Sequence, residues 1–283
     1  MCVPARDEEE ALPHLLHALA EMTVAPNALT VCIYLDGCID GSAALLGGLA
    51  PKLPFHLVVE SGSAGMVANA GAARRSAVAM ALRELGEGDG LIFMTDADST
   101  PRRDWIIAGR RALALAEVVA GRIVRADAAR DHEQSRIEAY YDRLHRYRRM
   151  MDPVAWEARD THHFSGGANL AVRASTYRAI GGLRPLPAGE DATLLDDAAR
   201  AGFRVRRDGA MVVDTSSRRS GRVADGLAGT LRALDAGRPP SVAHPGGAAW
   251  QWRAQAAARR SFAAIAQALS LIHISEPTRH ALL

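Results

Sequence analysis

Lysine is almost absent from this chain. Lys52 is the only one among 34 basic residues, so chemistry running through a phosphate-loop lysine or a lysine Schiff base is excluded. Cysteine is scarce. Cys2, Cys32 and Cys38 lack the spacing of a metal knuckle, and an odd trio is no disulfide framework. Cys32 lies in an apolar run and reads as a buried thiol, which suits a reduced, cytoplasmic protein. No apolar run approaches the ~20 residues of a membrane span, and no signal peptide is visible. Excess charge of either sign is also missing: 34 basic against 32 acidic residues leave +2. That argues against nucleic acid as the main partner.

What is present is core-forming residue and alternation. At 283 residues and 48% hydrophobic content, the chain has enough apolar material for one large domain. Short apolar runs at 1–5, 29–35, 55–59, 91–95 and 118–124 read as strands. Between them lie helical patterns. Leu12, Leu15, Leu16 and Leu19 mark one face of the first, and others fall at 41–50, 68–85 and 104–117. Strand–helix alternation with short loops predicts an α/β fold with a central, mostly parallel sheet flanked by helices. A polar helix is expected at 131–151, with Tyr140, Tyr141 and Tyr147 packing it. Strands near 168–172, 203–207 and 211–214 and helices at 175–180 and 191–201 follow. Residues 1–232 are expected to form the domain. Residues 233–268 read as a loose linker ending in an amphipathic helix at 254–268. The segment 269–283 resembles a translated sequencing adapter and is set aside as non-native. The first strand begins at Met1 with nothing before it, so truncation is expected at both ends.

Three acidic sites stand out. Asp36 follows the second strand, Asp96 and Asp98 follow the fourth, and Glu190 with Asp191 opens a helix after Pro187-Ala-Gly. In an open α/β sheet, residues past the carboxyl ends of strands gather in one crevice. Several carboxylates there repel unless a divalent metal, a sugar nucleotide or a hydroxyl awaiting deprotonation gives them a task. Each also has a plain alternative. Asp98 or Ser99 caps the next helix, Asp40 caps the helix after Asp36, and the Glu190–Asp191 pair favours its own helix start by up to ~1 kcal/mol each. Arg218, Arg219 and Arg222 follow a strand and suit a phosphate clamp or a solvated loop equally. His162 and His163 precede a Gly-Gly segment, where packing competes with ligand binding.

Taken together, these motifs and Pro4-Ala-Arg-Asp-Glu-Glu9, Gly71-Ala-Ala-Arg-Arg75 and Gly166-Gly-Ala-Asn-Leu-Ala-Val-Arg173 resemble family-2 glycosyltransferases of the GT-A fold, over about residues 1–232. The resemblance implies that Asp36, Ala5, Arg74 and Asp96 contact the nucleotide and that Asp98 holds Mn2+ or Mg2+. It implies Asp191, or its neighbour Glu190, as the base. It places Gly166, Gly167, Asn169 and His163 near the donor sugar or acceptor, with Arg219 and Arg222 as diphosphate candidates. The implied reaction is inverting transfer from a nucleotide-diphospho-sugar to a hydroxyl of a glycan, lipid or small molecule. Peripheral membrane contact is a possible accompaniment. The chain departs from the family at Asp7, where Asn is frequent. It also has no Gln-x-x-Arg-Trp motif, which disfavours a processive synthase. Two other classes compete: a nucleotide-sugar-binding module or inactive fragment, and a nucleotidyltransferase. The last needs a Gly-rich first loop, and Ala5-Arg-Asp-Glu-Glu9 is not one.

Overall fold

The computed structural model describes residues 1–24, 28–63, 69–221 and 226–274. Four strands, β1 (Cys2–Ala5), β2 (Thr30–Leu35), β3 (His56–Ser61) and β4 (Leu91–Met94), alternate with helices α1 (Leu12–Ala20), α2 (Ser42–Leu49) and α3 (Ala70–Leu85). After them come β5 (Ser99–Pro101), α4 (Trp105–Leu113), β6 (Val118–Arg125) and α5 (His132–Met151). The remainder is β7 (Leu170–Arg173), α6 (Ala174–Ala179), α7 (Glu190–Arg200), β8 (Val205–Thr215), α8 (Leu227–Asp235) and α9 (Pro245–Ile274). No helix among the described residues is long and apolar enough to cross a membrane.

The strands form one eight-stranded sheet in the order β3-β2-β1-β4-β7-β6-β8-β5. β3, β2, β1 and β4 pair in parallel, as does β6 with β8; β7 and β5 run antiparallel to their neighbours. The expected α/β architecture is therefore present. The sheet is apolar on both faces because its strands alternate between two cores. Val31, Ile33, Leu35, Phe93 and Val119 join the leucines of α1 and Trp105 of α4. Cys32, Ile92, Met94, Val118 and Ala120 join Ala77, Val78 and Met80 of α3 and Leu194 of α7. Cys2 and Cys32 are buried free thiols, and burial pushes the Cys2 thiol up to about 12, so it behaves as a small hydrophobe.

Local signals account for the helix ends. Asn69 Oδ1 accepts from Ala72 N at 2.9 Å to cap α3, which ends at Gly86 with φ +61°. Other elements differ from the sequence reading. The strands expected at 203–207 and 211–214 are one strand, β8, whose pairing slips: Gly121 meets Asp208, but Arg122 meets Val212. The apolar pattern breaks at Asp208-Gly-Ala because those residues sit at the irregularity. β5 is too short to show a period. The 233–250 stretch is better ordered than expected: α8 occupies 227–235, and α9 begins at 245 rather than 254. Tyr140 Oη donates to the Ala243 carbonyl, and Ala243 N donates to Tyr141 Oη at 3.3 Å, which pins the connection to α5. α9 passes residue 268 without a break, and 275–283 lie outside the described residues.

Asn169 closes the irregularity between β6 and β8. It is fully buried. Its Nδ2 donates to the carbonyls of Arg122 and Met211, each at 2.8 Å, and its Oδ1 accepts from Trp105 Nε1 at 2.7 Å. Gly121 leaves room for this, since a Cβ there would lie 2.3 Å from Asn169 Nδ2. Asn169→Leu leaves three buried polar groups unpaired, so a loss of about 3 kcal/mol is expected in urea unfolding. A change under about 1 kcal/mol would show that water replaces the amide there.

Candidate functional site

A cleft of about 490 Å³ opens where β1, β2 and β4 end, bounded by the start of α7 and the segment after β8. Ala5, Asp36, Arg74, Asp96, Asp98, Gly166, Gly167, Glu190 and Asp191 all line it. The expected carboxylates, from Asp36 to Asp191, are spread over 155 positions of sequence and thus meet in one cleft.

Arg74 organises one wall. It is 5% exposed, and its guanidinium reaches three partners. Nε donates to Glu190 Oε1 at 3.0 Å, Nη1 to the Gly167 carbonyl at 3.1 Å, and Nη2 to Asp96 Oδ1 at 2.9 Å. Burial disfavours this cation, but Asp96, Glu190 and Asp191 outweigh it and raise its pKa. A Cβ on Gly167 would lie 2.3 Å from Arg74 Cζ, so only glycine lets the chain approach so closely. Arg74 therefore lines the cleft with each of its three guanidinium nitrogens bonded to a neighbour.

Glu190 and Asp191 share the first turn of α7, but their environments diverge. Glu190 is 3% exposed and paired with Arg74. Asp191 is part-exposed, with Oδ2 accepting from Gly167 N at 2.7 Å. The turn that presents them depends on Gly189, whose φ of +75° suits glycine.

The opposite wall carries Asp98. Its Oδ2 lies 3.1 Å from Arg218 Nη2, and Arg218 also grips Glu8 through both guanidinium nitrogens. Burial pushes the Asp98 carboxyl up to about 6; Asp96 and Glu8 push the same way against Arg218. Asp98 does not cap α4, because β5 intervenes and Asp104 holds the N-cap position. Between the walls, Asp36 Oδ2 lies 3.3 Å from Arg6 Nη1.

The remaining expected residues sit elsewhere. Asn169 is committed to the strand irregularity described above. His163 is held by Asp142, whose Oδ1 accepts from the His163 backbone N at 3.0 Å and lies 2.7 Å from its Nδ1. Its ring packs against Phe164 at 4.2 Å between centroids. Neither residue is among those lining the cleft. His162 is fully buried, neither ring nitrogen has a partner among the described residues, and burial pushes its pKa down to about 3. Arg219 bridges Asp131 and Asp235 and ties α8 to the start of α5. Arg222 lies outside the described residues. Of the two described members of that basic run, Arg218 is the one that lines the cleft. Glu8 was the residue that sequence reasoning missed. It sits in a run of three glutamates, and nothing in the run shows that Glu8 alone turns inward, its N donating to Ser42 Oγ at 3.1 Å.

A second acidic group, Asp7, Cys38 and Asp40, gathers within 4.8 Å nearby. Its atoms join the loops after β1 and β2: Asp7 Oδ1 accepts from Ile39 N at 2.8 Å, and Asp40 accepts from Glu9 N at 3.0 Å and Ser42 N at 3.1 Å. These bonds account for the group as a staple.

No protein-family model and no curated protein matches the chain. Solved structures do. A mannosyltransferase from Pyrobaculum calidifontis, in complex with GDP-Man and Mn2+, matches 97% of this chain and 74% of its own at 18% identity and a TM-score of 0.59. S. aureus TarS 1-349, in complex with UDP-GlcNAc, matches 79% of this chain and 60% of its own at 12% identity and a TM-score of 0.56. The UDP complex of the same TarS fragment gives 11% identity and a TM-score of 0.55. At these identities the likeness establishes the fold: the chain has the GT-A architecture.

The Asp98 environment yields a pH dependence. Its folded pKa of about 6 lies above the ~4 of an unfolded Asp, so the folded state holds the extra proton between these values. In chelator, its contribution to stability falls as pH rises from about 4 to about 6 and stays low above that. Asp98→Asn is expected to raise metal-free stability at neutral pH by on the order of 2 kcal/mol and to flatten this slope. Unfolding curves across that range check it, and an unchanged slope would assign the charge strain to another group.

Proposed function

We propose that the protein is an inverting, family-2-like glycosyltransferase that moves a sugar from a nucleotide-diphospho-sugar to an acceptor hydroxyl with a divalent metal. One observation carries this reading: Asp36, Asp98 and Asp191 converge on one cleft, and of the adjacent pair only Asp191 is left accessible. The GT-A structures crystallised with GDP-Man and Mn2+ or with UDP-GlcNAc support it.

The wall around Asp98 fits a divalent cation. Glu8 and Asp98 share Arg218, and the Asp98 carboxyl is pushed up first by burial, with Asp96 and Glu8 adding to it against Arg218. Hard oxygen donors of this kind suit Mn2+ or Mg2+. Asp98 would hold the ion, which when bound supplies positive charge to the leaving diphosphate. Asp36 and the backbone at Ala5 would receive the base, with Asp36 accepting an N–H. Gly166 and Gly167 line the cleft where the donor sugar would lie. Arg74 acts as a positioning residue through Asp96, Gly167 and Glu190.

Glu190 cannot accept a proton without abandoning the buried Arg74 cation, which disfavours it as base. Asp191, oriented by Gly167 N, takes the acceptor's hydroxyl proton. The acceptor oxygen then bonds to the anomeric carbon as the bond to the diphosphate oxygen breaks. The nucleoside diphosphate leaves from the opposite face, which inverts the centre.

Two outcomes test this. UDP or GDP with Mn2+ is expected to raise the melting temperature, and Asp98→Ala to remove the metal-dependent part of that rise; an intact Mn2+ effect in the variant would clear Asp98 as the ligand. Asp191→Asn is expected to lower kcat by about 10²–10⁴-fold with donor affinity preserved, because Asn keeps the size and cannot take the proton. A donor screen that detects nucleotide diphosphate release supplies the assay. Normal turnover in the Asn variant would leave Asp191 only its helix-start role.

A further inference from the structure

We propose that the outer face of α9 docks on an anionic lipid surface. The inference rests on the helix itself and does not depend on the chemistry assigned to the cleft.

α9 has two sharply different faces. The inner one recurs at Trp252, Ala256 and Arg259. Trp252 meets Tyr147 of α5 edge-on at 6.2 Å, with the Arg148 guanidinium 6.0 Å from its ring. Ala256 is 2% exposed, and Arg259 Nε donates to Asp152 Oδ1 at 3.2 Å. The outer face carries Trp250, Phe262 and Ile265, which are 65%, 74% and 59% exposed. At 3.6 residues per turn these three fall within about 120° of arc, centred opposite Ala256. The residues that share the arc, Gln251, Ala254, Ala258 and Ser261, are exposed and uncharged. Exposed Arg253 and Arg260 lie together along one flank. Met150, one turn beyond Tyr147 on α5, adds another exposed apolar side chain at 80%.

Charge selects the occupant. No Asp or Glu occurs over residues 236–268. A second copy docked by two-fold symmetry would set this acid-free face against itself and leave Arg253 and Arg260 without partners. An anionic headgroup layer matches both parts: aromatic and aliphatic side chains enter the acyl boundary while arginines at the flank meet phosphate. The helix lies on the surface, since it carries three arginines, keeps its inner face on α5 and is not apolar enough to span.

The test is co-sedimentation of the full chain with vesicles of equal parts phosphatidylglycerol and phosphatidylcholine, against phosphatidylcholine alone. Pelleting with the anionic vesicles is expected. It should weaken about tenfold or more in the Trp250→Ser, Phe262→Ser, Ile265→Ser triple variant and in Arg253→Glu with Arg260→Glu. All five side chains are exposed, so both variants should retain the melting temperature and its rise with GDP or UDP and Mn2+. That readout comes from the cleft and fails separately if the proposed function is wrong. Absence of anionic-vesicle binding, or binding indifferent to both variants, overturns the proposal. A wild-type dimer that the triple variant converts to monomer, without lipid binding, overturns it in favour of a second copy.

Discussion

The buried guanidinium of Arg74 is the interaction on which the cleft depends. A cation removed from water is tolerated only when carboxylates and hydrogen-bond acceptors surround it. Arg74 meets that demand with Glu190, Asp96 and the Gly167 carbonyl, drawn from α7, the turn after β4 and the segment before β7. None of these three can move without leaving a charge unpaired in the interior. The glycines follow from the same constraint. Gly167 has no room for a side chain beside the guanidinium, and Gly71 approaches the 184–186 backbone so closely that a Cβ would lie 2.4 Å from the Leu186 carbonyl oxygen.

The pairing also separates two adjacent carboxylates by role. Glu190 neutralises Arg74 and is enclosed, whereas Asp191 faces the cleft and is oriented by a backbone N–H. The wall around Asp98 has the reverse balance. There, among the described residues, Arg218 serves both Glu8 and Asp98, and Asp98 retains a proton more readily than an ordinary carboxyl. One wall pairs its cation with two carboxylates and a carbonyl, whereas among the described residues the other sets two carboxylates against one guanidinium.

Of the C-terminal helices, α8 lines the cleft at Leu227 and Ala228, whereas α9 is not among the lining elements. α9 follows α5 through Ala243, Trp252 and Arg259, and these contacts turn a segment that reads as loose into an ordered one. The sequence pattern misleads there because the pinning partners, Tyr140, Tyr141, Tyr147 and Asp152, lie about 100 positions upstream. The same helix presents the aromatic face that the interior has no space for.

The architecture was legible from local order. Alternating apolar strands and one-sided helices bury themselves in only a few ways, so 1–124 read as a parallel α/β layer, and β1 to β4 with α1 to α3 are found there. The acidic positions Asp36, Asp96 and Asp98 were legible for the same reason, since strand ends share one sheet edge, and Glu190 with Asp191 was legible as an acidic pair opening a helix. Partner choice was not. Local pattern does not show that Arg74 crosses 116 positions to Glu190, that Arg218 crosses 210 to Glu8, or that Asn169 turns away from the cleft to close a strand irregularity. Those decisions belong to tertiary packing, because a buried polar atom takes whichever partner the assembled layers bring within about 3 Å, and that distance has no counterpart in sequence spacing.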